Sequence, residues 1–260
     1  MSQSKWLIKP HPKPNADLRI ICFPYAGGSA STYISWSKLL PNNVELIAVQ
    51  PPGRSSRMFE PCFTEMSMLV NDFLRIMPSI IDKPYILIGH SLGSRVAFEL
   101  MLQCQRQGIQ TPVHFIASGS RGPHIKPRKK PIHHLPEKEF ILELEELNGT
   151  PMEILKNKEL ITLCLPLLRA DFQLAENYLF TSDVSFECRV TVFGGQSDSE
   201  ITITDLSSWE IFFTGLAETK LFAGDHFFIE SNKRDVIKEV NTIIQLELVK
   251  LASKHTMVKA

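Results

Sequence analysis

Short apolar runs alternate with longer amphipathic stretches along most of the chain. The runs Leu18–Phe23, Val44–Gln50, Tyr85–Gly89, Val113–Ser118, Cys188–Phe193 and Thr219–Phe222 are largely β-branched and apolar without regular alternation. That is the pattern of strands buried on both faces. Between them, Thr32–Leu40, Thr64–Ile81, Leu92–Gln107, Asp205–Thr214 and Asn232–Leu248 carry apolar residues at helical spacing. In Leu92–Gln107, for example, Val96, Ala97, Leu100, Met101 and Cys104 fall on one face, with Arg95, Glu99, Gln103 and Arg106 elsewhere. Strand-like and helix-like segments in alternation predict an α/β fold, a mostly parallel sheet with helices on both faces.

One stretch breaks the alternation. From Gly119 to Thr181 no convincing strand appears, while Pro136–Leu147 and Lys158–Tyr178 read as helices, the second kinked or divided at Pro166. A helical insertion between two strands, about residues 120–180, is expected to act as a lid over a site or to cover the sheet edge. The remainder reads as a single domain over 1–260, with an extended N-terminal arm at 1–17 and a frayed tail at 250–260.

The chemistry begins at Ile86-Leu87-Ile88-Gly89-His90-Ser91-Leu92-Gly93. A buried strand, G-x-S-x-G and an amphipathic helix form the nucleophile elbow of the α/β-hydrolase fold, with Ser91 strained at the apex of the turn. A serine hydroxyl needs a base, and the base needs an acid to fix its tautomer. In this fold both follow the serine in the chain. Among the downstream histidines, His114 lies inside a strand pattern. His124, His133 and His134 sit in a basic, proline-rich loop, and His255 is in the tail. His226 follows a strand end and turn before the last helix, and is the expected base. Asp198 follows Val190–Gly195 and is the expected acid. Its rivals are Asp183 before its strand, Asp205 at a helix start and Asp225 beside the base. The oxyanion hole is expected from the backbone N–H of Leu92 and of Ala26, with Tyr25 and Gly27 as neighbouring candidates in the loop Phe23–Ser31.

Composition narrows the partners. With 28 basic and 28 acidic residues the net charge is zero, which argues for neither nucleic acid nor a membrane surface. No apolar run reaches the roughly 18 residues of a membrane span. The segment Met1–Asp17 has no apolar signal core. Cys22, Cys62, Cys104, Cys164 and Cys188 show no C-x-x-C spacing and read as free thiols in a reducing compartment. A cytoplasmic monomer without metal or cofactor is expected. The fingerprint G-x-G-x-x-G is absent from the glycine-bearing loop after the first strand.

Taken together, these residues resemble the type II thioesterases, stand-alone α/β-hydrolases that serve nonribosomal peptide and polyketide synthases. The likeness spans nearly the whole chain. It rests on Phe23-Pro24-Tyr25-Ala26-Gly27-Gly28-Ser29, Trp36 with Leu39-Leu40-Pro41, Gln50-Pro51-Pro52-Gly53-Arg54 and Gly89–Gly93. It continues through Leu165-Pro166-Leu167-Leu168-Arg169-Ala170-Asp171-Phe172, Phe193–Asp198 and Gly224-Asp225-His226-Phe227-Phe228. Leu92, Ser94 and Tyr25 depart from the usual Met, Ala and His, and leave acyl preference open. The resemblance implies hydrolysis of acyl thioesters from the phosphopantetheine arm of acyl or peptidyl carrier proteins, clearing stalled or mis-primed synthases. A carboxylesterase acting on small oxygen esters is the alternative. The basic run His124–His134, with Lys126, Arg128, Lys129 and Lys130, is either a solvated loop or a docking patch for an acidic carrier.

Overall fold

Alternate residues of the central strands feed two different cores. In β2 (Leu18–Phe23), Leu18, Ile20 and Cys22 enter one apolar cluster, and Ile21 and Phe23 enter another on the opposite face. In β4 (Tyr85–His90), Ile86 and Ile88 go one way, Tyr85 and Leu87 the other. A strand with both faces covered has no polar side to show, which is why these runs read as continuously apolar.

The computed structural model describes residues 4–258, with side chains described as far as Ser253. These two strands join β1 (Leu7–Ile8), β3 (Val44–Val49), β5 (His114–Ser118), β6 (Arg189–Gly195) and β7 (Ala217–Phe222) in one sheet, in the order β1-β3-β2-β4-β5-β6-β7. All neighbours are parallel except β1 and β3. The helices are α1 (Ser31–Ile34), α2 (Met66–Leu74), α3 (Leu92–Arg106), α4 (Glu137–Leu147), α5 (Met152–Lys156), α6 (Lys158–Asn177), α7 (Ile203–Ser207), α8 (Phe228–Ser231) and α9 (Lys233–Val258). Helices α2 and α3 pack on one face of the sheet. Helix α9 covers the other with Val236, Ile237, Val240, Ile243 and Ile244.

Several expectations change. Within the N-terminal arm, Leu7 and Ile8 pair antiparallel with Val49 and Ala48, and Trp6 is buried with its indole N–H donated to Asp72. Two residues are too few for a periodic signal. The expected tail from Lys250 continues α9 to Val258 rather than fraying. Residues 1–3 and 259–260, and the His255 side chain, lie outside the described residues. Three helices are shorter than their patterns. Thr32–Leu40 becomes α1 and a 3₁₀ turn at Ser35–Lys38. Thr64–Ile81 stops at Leu74, with Pro78 in a 3₁₀ turn at Met77–Ser79. Asp205–Thr214 resolves into α7 and a 3₁₀ turn at Glu210–Phe212.

Pro166 does not divide α6. The helix is held through it by a small core of its own, in which Ile161, Leu165 and Leu168 pack with Phe140, Leu144 and Leu155 from α4 and α5. This helical unit is inserted between β5 and β6. Because the central strands run parallel, the loops after β2, β4, β6 and β7 all open at one edge of the sheet, where ligands of open α/β sheets bind.

Candidate active site

Ser91 sits between β4 and α3 with φ 53° and ψ −114°, a conformation that strains any residue with a side chain. The glycines of the motif are steric necessities. A Cβ on Gly89 would lie 2.2 Å from the Gly93 carbonyl, and one on Gly93 would lie 2.3 Å from the Phe23 carbonyl oxygen. Either methyl group would force helix α3 away from the sheet.

The turn is tied to the next strand. Ser91 donates its backbone N–H to Ser118 O at 2.8 Å. The Ser94 hydroxyl lies 2.7 Å from Gly89 O and accepts the N–H of Ser118 at 3.1 Å. The residue that stood out in the sequence only as a departure from Ala therefore joins β4 to β5 behind the nucleophile. His90 is fully buried and reaches two ways, Nδ1 to Ser118 Oγ at 2.8 Å and Nε2 to the backbone oxygen of His226 at 2.9 Å. A carbonyl only accepts, so Nε2 carries the proton and Nδ1 accepts from the Ser118 hydroxyl. Burial, reinforced by the neighbouring His226, holds the His90 pKa well below its ordinary value and keeps the ring neutral. It thus spans from the elbow to the loop that carries His226.

His226 follows β7 and donates from Nδ1 to Asp198 Oδ2 at 2.8 Å. Asp198 Oδ1 accepts the N–H groups of Glu200 and Ile201 at 2.8 and 3.1 Å, so the carboxylate is fixed on both oxygens. His226 Nε2 has no hydrogen-bond partner among the described residues. Ser91, Ala26 and His226 line one cavity of about 200 Å³. Leu144 and Leu147 of α4 and Leu168 and Phe172 of α6 are part of its walls, so the inserted helices border the cavity.

The rival residues fall elsewhere. His114 is buried in β5 between Glu247 and Thr191. Thr202, not Asp205, is the N-cap of α7. Asp205 is the third residue of its capping box and also holds Arg128. Asp225 caps the turn at Phe227 N. Cys22 and Cys104 are buried, Cys164 only partly, and all five cysteines are free. Among the described residues, no group of three or more His, Cys, Asp or Glu is placed to hold a metal ion. No helix there is long and apolar enough to cross a membrane.

The loop after β2 is braced from the inserted helices. Asp171 of α6 accepts two hydrogen bonds from Arg54, at 2.7 and 2.8 Å, and a third from Gly27 N–H at 2.7 Å. Arg54 also donates to Gly28 O at 2.9 Å. The N–H of Gly28 is spent on Tyr25 O. Gly27 and Gly28 thus have their N–H groups occupied, whereas those of Ala26 and Leu92 have no partner among the described residues. Sequence reasoning picked out Arg54 and Asp171 only as family motifs. Their pairing joins positions far apart in the chain and left no local signal.

A strained Ser at a strand–helix turn, with a His–Asp pair on later loops at the same edge, defines an α/β-hydrolase. Comparison with known proteins places it further. Residues 18–244 match the Thioesterase domain family. Gramicidin S biosynthesis protein GrsT of Aneurinibacillus migulanus is 35% identical over 90% of this chain and 92% of its own. Linear gramicidin dehydrogenase LgrE of Brevibacillus parabrevis is 34% identical over 96% of both. The crystal structure of ClbQ from the colibactin NRPS/PKS pathway superposes with a TM-score of 0.85 at 34% identity, covering 90% of this chain and 100% of that one. The chain belongs to the thioesterase family.

Proposed function

We propose that Ser91 is the nucleophile, His226 the base and Asp198 the acid of a hydrolase that cleaves acyl thioesters from the phosphopantetheine arm of carrier proteins. The Asp198–His226 bond carries the reading, because it sets the imidazole tautomer at the cavity that Ser91 lines. With Nδ1–H held by the carboxylate, Nε2 is the bare nitrogen. It takes the proton as Ser91 Oγ attacks the thioester carbonyl. The Leu92 and Ala26 N–H groups receive the negative charge on the carbonyl oxygen, and the N-terminus of α3 adds its dipole. Collapse of the adduct breaks the C–S bond, and the proton on Nε2 leaves with the thiol. Water, deprotonated by the same nitrogen, then attacks the acyl-enzyme and releases the acid and free Ser91.

The relatives are named for gramicidin biosynthesis, and ClbQ for an NRPS/PKS pathway. They support editing of carrier-bound acyl groups as the role. The decisive experiment is a panel of acyl-carrier proteins, acyl-N-acetylcysteamine thioesters and oxygen esters of the same acyl groups, with wild type and Ser91→Ala. The proposal expects thioesters to be preferred and Ser91→Ala to lose several orders of magnitude in kcat while keeping its thermal midpoint. Activity within about tenfold of wild type removes Ser91 from its role. Preference for the oxygen esters makes the protein a carboxylesterase.

A further inference from the structure

Arg95 lies one helical turn beyond Ser91, on the same side of α3 as the nucleophile. It is 8% exposed and lines the cavity. Among the described residues its side chain donates only to the backbone oxygen of Ala175 in α6, and no carboxylate lies within ion-pair distance. Burial pushes its pKa down to about 9 and the neighbouring Arg121 pushes it the same way, against the smaller opposing effects of Tyr178 and Glu176. Arg121 lines the same cavity and donates from Nε to Ile125 O. Its pKa is also lowered, chiefly by burial, with Asp205 and Glu200 opposing and Arg128 adding to the shift.

The carboxylates nearby are engaged. Glu176 holds His133 and the N–H groups of Ile132 and His133, and Glu200 holds Lys129. Glu143, on α4, pairs with neither arginine. Arg95 and Arg121 therefore line one cavity and disfavour each other's charge, and neither has a carboxylate within ion-pair distance among the described residues; Glu176 acts on Arg95, and Asp205 and Glu200 on Arg121, only at longer range. Burying such charge is unfavourable unless an anion joins it, and a planar guanidinium matches a carboxylate with two parallel N–H···O bonds.

We propose that Arg95 and Arg121 form a carboxylate-binding subsite, so that the enzyme selects acyl chains that carry their own carboxylate, the half-thioesters of dicarboxylic acids. The inference rests on the thioesterase reading. The phosphate of the carrier arm is the other available anion. It lies a full pantetheine length from the thioester, whereas Arg95 is one helical turn from Ser91, so the acyl chain is the source.

The test uses malonyl, glutaryl and adipoyl N-acetylcysteamine thioesters, each against its neutral ω-methyl ester. None contains phosphate. At least one carboxylated member should exceed its neutral partner by about tenfold or more in kcat/KM, and Arg95→Gln should bring that ratio close to one. A structural tie to Ala175 alone would lower both rates and leave the ratio. Arg121→Gln reads the same ratio if Arg95→Gln does not fold. A wild-type ratio at or below one throughout the series, or a ratio that survives both substitutions, overturns the subsite. Calorimetric titration of wild type with glutarate and with its monomethyl ester needs no turnover. Tighter binding of the diacid supports the subsite even if no thioester is cleaved, and equal binding refutes it. Failure to cleave any thioester refutes the thioesterase reading instead.

Discussion

Replacing Asp171 by Asn should damage both stability and catalysis, and the two losses should come apart in a second variant. Asp171 is 2% exposed and Arg54 is 7% exposed. The carboxylate accepts three hydrogen bonds, two from the guanidinium and one from Gly27 N–H. An amide keeps the shape but turns an N–H₂ group towards one of these donors and leaves the Arg54 charge uncompensated. Breaking a buried pair by removing one partner costs about 3–5 kcal/mol, a large share of the roughly 5–15 kcal/mol that holds a domain folded. Urea denaturation followed by circular dichroism reads that loss.

The double variant Arg54→Met with Asp171→Leu replaces the pair by apolar side chains of similar reach. It should recover much of the midpoint, because a buried ion pair is worth little more than the packing that can replace it. Catalysis should not recover with it. Gly27 N–H would still lack its acceptor and Arg54 would no longer hold Gly28 O, so the loop that carries Ala26 N–H loses its brace. Removing an oxyanion donor outright lowers kcat by about 10²–10³, and misplacing one should lower it by about tenfold to a hundredfold for a neutral thioester. Two results would refute this reasoning. One is an Asp171→Asn variant that loses less than about 1 kcal/mol, well short of a broken buried pair. The other is a double variant that regains kcat together with its midpoint.

Asp198→Asn should slow acylation strongly with little change in folding, since the amide cannot fix and stabilise the imidazolium; stopped-flow release of thiol measures it, and normal acylation would transfer the acid's role elsewhere. Asp205→Asn should do the reverse, keeping activity but losing more than the roughly 1 kcal/mol of a helix cap, because Asp205 also holds Arg128. Burial alone would raise the Asp205 pKa, but Arg128 and the Thr202 N–H and hydroxyl outweigh it and hold the pKa below the ordinary value. Its stabilisation is therefore present above the unfolded carboxylate range and lost as pH falls through the folded pKa, so urea midpoints of wild type and Asp205→Asn should converge on acidification; a gap that stays constant to low pH contradicts the assignment. In the basic segment, Arg128 and Lys129 are engaged with Asp205 and Glu200 and Lys130 lines the cavity, so carrier docking should respond to reversing Lys126 to Glu. That change should lower kcat/KM and its salt dependence for acyl-carrier substrate only, and an equal response with N-acetylcysteamine thioesters would exclude docking.

What was legible in the sequence followed from rules that act over a few residues. The G-x-S-x-G turn announces itself because Gly89 and Gly93 are the only solution to a strand and helix that pass within van der Waals contact. Continuous apolar runs announce central strands because both faces are buried. Chain order after a parallel sheet brings the loops of Asp198 and His226 to the same edge as Ser91. Contacts made across long stretches of chain were not legible. Nothing near Leu7 signals that Val49 will pair with it, and nothing near Pro166 signals that Phe140 and Leu155 will steady its helix. The same holds for function. Arg54, Asp171 and Arg95 read locally as an arginine after a turn, an acid on a helix and a cation off the apolar face. Only the fold turns the first two into the brace of the Ala26 loop and leaves the third in a cavity with no carboxylate within ion-pair distance among the described residues. The proposed acyl preference rests on that last kind of contact, whereas the reaction could be read from motifs.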